Sequence, residues 1–211
     1  MMTNKAVIIQ DYLNEILPNA KGELQYNKDY ELLIAVILSA QATDKSVNLV
    51  TPVLFAKFPT LEDLANGDLK EIEDTIKSIG LYKNKAKNIK ELARILVEQY
   101  DRKVPHEKEV LVTLPGVGNK TASVTRLELW NEDEFPVDTH VTRVSIRLGL
   151  ANKNDDVLII ERKLKKIFPK ENWGHLHHQF IHFGRYFCKA QHPNCKNCKI
   201  IDICKENKEK R

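Results

Sequence analysis

Apolar residues recur at helical spacing along almost the whole chain of 211 residues, without the sustained apolar and polar alternation of a half-buried strand. The sequence therefore predicts an all-α protein. The predicted helices cover residues 5–17, 28–40, 44–57, 61–66, 69–79, 84–100, 106–113, 119–130, 139–149, 155–167 and 172–185. Pro52 lies inside the third helix and is expected to kink it or split its first turn.

Residues suited to helix ends support these assignments. Two pairs have the spacing of capping boxes, Thr60 with Asp63 and Asp68 with Glu71. Gly80 and Gly149 stand where a predicted helix ends, and a left-handed residue there is most often glycine.

No segment of the sequence is suited to crossing a membrane. The longest uninterrupted apolar run, Leu32–Leu38, is far shorter than the roughly 20 residues that a spanning helix needs. Asp11 and Glu15 place charges inside the first predicted helix, and no small-residue cleavage site is present. The N-terminus therefore does not resemble a signal peptide. We therefore expect a cytoplasmic protein without a membrane partner.

Positive charge is concentrated near the C-terminus. Between Cys188 and Arg211, seven Lys and Arg residues and three acidic residues give a net charge of +4, which equals that of the whole chain. This segment either meets a polyanion or is a solvated basic tail, and charge alone does not decide between them.

All four cysteines lie in one short segment, at Cys188, Cys195, Cys198 and Cys204, with six, two and five residues between them. Disulfides are disfavoured in a reducing compartment, and four thiolates this close together need a cation to offset their repulsion. The spacing therefore predicts a metal site. Tetrahedral Zn²⁺ and a cubane iron–sulfur cluster both accept four thiolates, so this chemistry leaves the metal open.

The segment LPGVGNKTA, residues 114–122, lies between two predicted helices. Its two glycines let the backbone turn sharply and come close to a ligand, and the helix that follows presents N–H groups to a phosphate oxygen. Gly116, Val117 and Gly118 are therefore candidates for binding a DNA backbone without reading its sequence. The alternative is a tight helix connection with no ligand.

Lys120 is predicted in the first turn of that helix, where a cation opposes the helix dipole by about 0.3–1 kcal/mol. Three explanations stay open, namely contact with a phosphate, a solvated side chain, or covalent chemistry. The dipole and desolvation both favour the neutral amine, which can attack a carbonyl-like carbon and form a Schiff base.

Asp138, in the sequence VDTH, precedes the next predicted helix. Aspartate at such a position is most often a plain N-cap. A carboxylate kept ionised by a helix N-terminus can also take a proton or stabilise an oxocarbenium ion, so Asp138 is a candidate catalytic residue as well.

These motifs occur together in one known family. LPGVGNKTA, VDTH and C-x6-C-x2-C-x5-C, in that order and near these distances, resemble the endonuclease III family of the helix-hairpin-helix DNA glycosylase superfamily. The resemblance extends to LSAQATD at residues 38–44 and GLYKNKA at residues 80–86, and so covers most of the chain.

The resemblance implies a fold and a cofactor. Two helical domains would flank a DNA-binding cleft, with the hairpin and Asp138 facing each other across it. A six-helix barrel with the helix-hairpin-helix would span residues 22–132, and residues 1–21 and 133–211 would form the second domain. A 4Fe–4S cluster, structural and DNA-facing more than catalytic, would be bound by Cys188, Cys195, Cys198 and Cys204.

The resemblance also implies an activity, the removal of oxidised or damaged pyrimidines from double-stranded DNA with cleavage at the abasic site. Lys120 would be the nucleophile and Asp138 would assist it. Gln41 would fill the space left by a flipped nucleotide, and Leu81 would wedge between bases. His140 would line the cleft. A monomer acting on damaged or abasic DNA at the nucleoid is the corresponding expectation.

The sequence departs from the family pattern at two places. Ser123–Trp130 replaces what is usually a small, apolar helix, and Asn119 stands where a basic residue is common. If Arg126 or Glu128 faces inward, the helix behind Lys120 packs differently and the range of substrates is affected.

Two rival functions remain at this point. Mismatch glycosylases of the same superfamily excise adenine or thymine, and they usually lack the lysine, so Lys120 argues against them. A DNA-binding or electron-transfer iron–sulfur protein without catalytic activity is the alternative from another class.

Overall fold

The computed structural model describes residues 3–208, all of them in helices, turns or loops with no strand. The prediction of an all-α protein is confirmed over these residues. Glu209, Lys210 and Arg211, which belong to the predicted basic segment, lie outside them. Within the described part of the chain no helix is both long enough and apolar enough to span a bilayer.

Twelve α-helices are present among the described residues. They are α1 Asn4–Ile16, α2 Asp29–Ser39, α3 Asp44–Lys57, α4 Leu61–Asn66, α5 Leu69–Ile76, α6 Tyr82–Gln99, α7 Lys108–Leu111, α8 Asn119–Trp130, α9 Thr139–Arg147, α10 Val157–Ile167, α11 Trp173–His182 and α12 Lys205–Lys208. The first eleven correspond to the eleven predicted helices, with ends that differ by no more than three residues. The short α12 was not predicted.

The structure differs from the expected helix continuity at two places. α11 does not extend to residue 185 as an α-helix, because the chain changes to a π-helical turn over Phe183–Phe187. Pro52 does not split α3, which is continuous from Asp44 to Lys57 with the exposed proline inside it.

The chain divides into two compact units, one formed by Glu23–Trp130 and the other by Met1–Gly22 with Asn131–Arg211. This division lies one or two residues from the boundaries expected from the sequence. The first unit contains α2 to α8, and the second contains α1 and α9 to α12.

The unit of residues 23–130 is built around α2. Every residue from Glu31 to Leu38 is buried, so this helix is surrounded by protein on all sides, as its continuous apolar run requires. α3, α6 and α8 pack against it. Their buried side chains include Val47, Ile89 and Ala122.

The second unit has a core of its own, made by α1, α9, α10 and α11. Ile9 and Leu13 of α1 pack with Phe180 of α11 and with Phe135, all of them fully buried. The Phe135 and Phe180 rings meet edge to face with centroids 5.9 Å apart. The N-terminal helix is thereby joined to the C-terminal third of the chain.

The helix ends show which local signals were interpreted correctly. Thr60 and Asp63 form the predicted capping box. Asp68 accepts only the N–H of Glu71, so the second pair is an N-cap without the reciprocal bond. Gly149 is left-handed, with φ of 70°.

The prediction for Gly80 was wrong, because the left-handed residue at this turn is Leu81, with φ of 60°. The physical reason is that α5 ends at Ile76, earlier than expected, so Gly80 no longer follows a helix directly. Leu81 is instead the N-cap residue of α6.

Candidate active site and cysteine cluster

The hairpin between α7 and α8 holds its loop by one buried side chain. Val117 is 6% exposed and packs in the core of its unit, while Gly116 and Gly118 on either side are exposed. The N–H of Val117 donates to the carbonyl of Leu114 at 3.1 Å. The sequence suggested that this N–H could bind a phosphate, but in the structure it is already occupied. The first N–H groups of α8 have no acceptor within the helix.

The two glycines of the hairpin differ in what requires them. Gly116 is left-handed, with φ of 78°, and a Cβ there would lie 3.1 Å from atoms of Asn88 and Ile37. A Cβ on Gly118 would meet no atom within 4 Å. Gly116 is therefore needed by the turn itself, whereas nothing in the protein restricts the side chain at Gly118.

Lys120 is the second residue of α8, and its side chain is exposed. The first turn of α8 contains no acidic residue, so the helix N-terminus and the ammonium group present positive charge together. An anion is the ligand that such a place favours.

The unusual side chains of α8 lie partly inside the protein. Ser123 and Thr125 are buried at 2% and 0% exposure. Arg126 and Glu128 are half-buried, and burial, with a smaller contribution from Asp44, raises the pKa of Glu128 to about 6. The helix behind Lys120 therefore packs with polar side chains where the family pattern is apolar.

Gln41 and Leu81 share an uncommon backbone conformation. Both have positive φ, 57° for Gln41 and 60° for Leu81, and both are exposed. The Leu81 side chain is 60% exposed, which is unusual for leucine. Non-glycine residues in this conformation are strained, and such strain is concentrated at functional sites.

Asp138 is the N-cap residue of α9. Its Oδ1 accepts the N–H of Val141 at 2.8 Å, and the side chain is half-buried. The N-cap role that the sequence predicted for Asp138 is therefore confirmed. This cap uses only Oδ1, so Oδ2 is left for a further role.

The segment leading to Asp138 is fixed to its unit by four successive contacts. Asp133 forms an ion pair with Lys170 at 3.0 Å, and Glu134 forms one with Lys165 at 3.3 Å. The Phe135 side chain is buried in the core. The carbonyl of Pro136 lies 2.7 Å from Nδ1 of His177. Because these contacts act on consecutive residues, the position of Asp138 is set by the core of this unit.

His140 lies in the first turn of α9, two residues after Asp138. Its Nδ1 is 3.2 Å from Nη2 of Arg143, an arginine that also donates to the carbonyl of Gly184 at 2.7 Å. Burial lowers the pKa of His140, which favours the neutral ring, and a neutral ring can accept the arginine N–H at Nδ1.

The four cysteines line a single cavity with Phe183, Phe187 and Ile201, and none of them is in a disulfide. Burial raises the pKa of Cys188 and Cys198, so a positive group is required to keep these thiols ionised. A site lined by four thiols and apolar rings fits an iron–sulfur cluster.

Arg147 of α9 is bound to the cysteine loop. Its Nη1 donates to the carbonyl of Lys189 at 2.6 Å and lies 3.5 Å from the sulfur of Cys188.

Among residues 3–208, no three His, Cys, Asp or Glu side chains are close enough together to hold a single metal ion.

The structure thus distributes the predicted site residues over the two units. Gln41, Leu81, the hairpin and Lys120 belong to residues 23–130, and Asp138, His140 and the cysteines belong to the other unit. Arg147 was missed by the sequence interpretation, although its place one helical turn after Arg143 on α9 was a usable signal.

Comparison with known proteins defines the class first. A family described as HhH-GPD superfamily base excision DNA repair protein matches residues 34–170. Endonuclease III of Bacillus subtilis (strain 168) is 46% identical over 200 residues, which cover 95% of this chain and 91% of that protein. The chain belongs to the endonuclease III family of this superfamily, as its motifs predicted.

Solved structures agree with this assignment. An endonuclease III trapped as a covalent intermediate with DNA superposes with a TM-score of 0.93 at 46% identity, over 99% of each chain. A thermostable thymine-DNA glycosylase, 23% identical, has a TM-score of 0.82 over 97% of each chain and shares the fold.

Proposed function

We propose that this protein removes damaged pyrimidines from double-stranded DNA and then cleaves the strand at the resulting abasic site. The observation that carries the proposal is the exposed Lys120 at the N-terminus of α8, directly after the hairpin. An amine in this position is presented to an anionic backbone together with helix N–H groups. Membership of a base excision repair family supports the same activity.

DNA entry is assigned to the two strained turns. A damaged base inside a duplex is out of reach, so its nucleotide must leave the stack, which costs a few kcal/mol and less for a poorly stacked lesion. Leu81 would enter between bases as an apolar wedge, and Gln41 would occupy the space that the nucleotide leaves. Their exposure and fixed backbone suit these roles.

Lys120 is assigned the covalent step. Its neutral amine attacks C1′ of the flipped nucleotide, and the bond from C1′ to the base breaks with its electron pair leaving on the base. The sugar ring then opens: the C1′–O4′ bond breaks, its electron pair and a proton go to O4′, and a protonated imine forms between Nζ and C1′. This imine acidifies the neighbouring C2′–H, so that a proton is lost there and the 3′ phosphate leaves by β-elimination. Asp138 would accept the proton that the amine releases, as a general base does.

The basic loop that contains the cysteines is assigned a 4Fe–4S cluster bound by Cys188, Cys195, Cys198 and Cys204. Such a cluster holds the loop in one conformation and is not part of the base-release chemistry. Lys189 and Lys196 are exposed on this loop and would meet phosphates. A monomer located at the nucleoid stays a prediction.

A panel of duplexes, each with one lesion, tests the proposed substrate class. Oxidised pyrimidines are expected to be released and the strand cleaved, whereas undamaged adenine or thymine in mismatches is left in place. Excision of mismatched bases without strand cleavage would favour a mismatch glycosylase. DNA binding without any product would favour the non-catalytic alternative.

The purified protein is expected to be yellow-brown and to contain about four irons per chain, the content of one cluster. Cys198→Ser should lower the iron content and the DNA affinity, or yield insoluble protein, because the loop loses a ligand. Iron analysis and visible absorption after anaerobic preparation are the measurements. Asn197→Ser in the same loop is the matched control, and colourless protein with one zinc per chain would contradict the assignment.

The hairpin glycines are expected to weaken binding to abasic-site DNA for different reasons. Gly116→Ala strains the turn and should destabilise the free protein by about 1 kcal/mol or more. Gly118→Ala should leave the melting temperature unchanged, and yet lower DNA affinity about tenfold by crowding a phosphate. Thermal melts and binding titrations with two unrelated sequences measure both effects. Unchanged affinity in both variants would remove the hairpin from the binding surface.

A further inference from the structure

Lys85, in the first turns of α6, makes two contacts outside its own helix. Its Nζ donates to the carbonyl of Leu38 at 2.9 Å and to the carbonyl of Ala40 at 2.6 Å. The residue is only 5% exposed, so these contacts are shielded from solvent. These contacts join α6 to the end of α2, since Lys85 and Ala40 are 45 residues apart in the sequence.

The electrostatics explain why a lysine occupies this place. α6 begins without an acidic residue in its first turn, so a lysine there is unfavourable with its own helix dipole. α2 ends without a basic residue of its own, and its last carbonyl groups need donors. Burial lowers the pKa of Lys85, and the two carbonyl contacts offset the desolvation of its ammonium group. Lys85 thus serves the end of α2 and not the helix that carries it.

The same lysine is bonded to both strained turns. Its side chain binds Ala40, the residue immediately before Gln41. Its main-chain N–H donates to the carbonyl of Leu81 at 3.1 Å, the first helical bond of α6, which any residue at this position would make. The side chain adds the link between the two turns, because it ties the first turns of α6, which begin after Leu81, to the end of α2, which Gln41 follows. Residues in the left-handed conformation persist only where their surroundings hold them in place.

We propose that Lys85 is a positioning residue, which holds the turns of Gln41 and Leu81 in one fixed arrangement for entry into the duplex. The proposal rests on the DNA-inserting roles assigned to those two side chains. Turns that are fixed before binding do not have to be ordered during it, so the lysine contributes to binding without touching DNA.

The experiment separates insertion from chemistry. A duplex carries a stable abasic-site analogue with 2-aminopurine beside it, and the fluorescence of this base rises when its stacking is lost. A single-stranded oligonucleotide with an abasic site, which has no partner strand to displace, reports Schiff-base formation and cleavage by Lys120. The variants are Lys85→Met, which removes the donors, Lys85→Arg, which restores charge and donors, and Lys83→Met, which removes an exposed charge from the same turn.

Wild type and Lys83→Met are expected to give the full fluorescence rise, whereas Lys85→Met loses most of it even at saturating protein. Its affinity for the duplex should fall about tenfold, because turns that are not held in the free protein must be ordered during binding. Lys85→Arg should recover part of the signal. Cleavage of the single strand should be the same in all four proteins.

A full fluorescence rise with Lys85→Met would overturn the positioning role, as would an equal loss of single-strand cleavage. If Lys85→Met does not fold, as judged by its melting curve, Lys85→Gln is measured instead. Its shorter, uncharged side chain should lose part of the fluorescence rise, and a full rise with it would overturn the positioning role. A variant with both Gln41→Ala and Leu81→Ala serves as the reference for lost insertion. If that variant gives the full rise, the assigned roles of those residues fail and the proposal fails with them, whereas a loss there with no loss in Lys85→Met overturns the role of Lys85 alone.

Discussion

Lys120→Gln should abolish the covalent adduct that borohydride traps between the wild-type protein and abasic-site DNA. Glutamine has no amine to form an imine, so strand cleavage should fall by about three orders of magnitude or more, the scale on which loss of a nucleophile acts. The fold should be unaffected, because the Lys120 side chain is exposed and α8 is held by other residues such as Ala122 and Leu127. Gel analysis of the reduced adduct and single-turnover cleavage rates measure the effect.

Lys87→Gln is the matched control for this experiment, since it removes the same charge from an exposed helical position in the same unit. It should trap and cleave as the wild type does. Duplex binding by Lys120→Gln should fall much less than cleavage. Cross-linking and cleavage by Lys120→Gln at the wild-type rate would mean that another amine is the nucleophile.

Asp138→Asn is expected to slow base release by about 10²- to 10⁴-fold, the contribution typical of a general base. The structure makes this substitution informative. Asp138 caps α9 by accepting the N–H of Val141, and asparagine is an equally good N-cap. The melting temperature should therefore change little while the chemistry is lost.

Asp138→Ala provides the contrast, because it removes the cap as well as the charge. It should cost about 1 kcal/mol of stability, which corresponds to a melting temperature about 2–4 °C lower for a chain of this size. Base release should be as slow as in Asp138→Asn. If Asp138→Asn releases bases at the wild-type rate and Asp138→Ala is only less stable, the aspartate is a helix cap and nothing more.

Local signals in the sequence were sufficient for most of the fold. The helices could be predicted because the apolar residues of an amphipathic helix recur about every 3.6 residues. This pattern can be recognised without knowing what the helix packs against. The N-cap at Asp138 and the capping box at Thr60 were found for the same reason, since a cap is formed within four residues. Residue type and spacing left the role of Lys120 and the identity of the metal open, and the resemblance to a known family then pointed to a candidate nucleophile and to candidate cluster ligands.

Contacts between distant residues decided what the sequence could not. Leu81, and not Gly80, adopts the left-handed conformation, and α5 ends at Ile76 although the buried Ile79 continues its apolar pattern. Lys85 gave the same local signal as Lys120, a cation near a helix N-terminus.

Only the fold shows that Lys85 is turned inward to the carbonyl groups of Leu38 and Ala40, while Lys120 is exposed. The sequence determined which residues can perform the chemistry, because reactivity belongs to side-chain type. The tertiary structure decided which of two similar lysines is exposed and which is buried against main-chain carbonyl groups, because burial is set by residues far away in the chain.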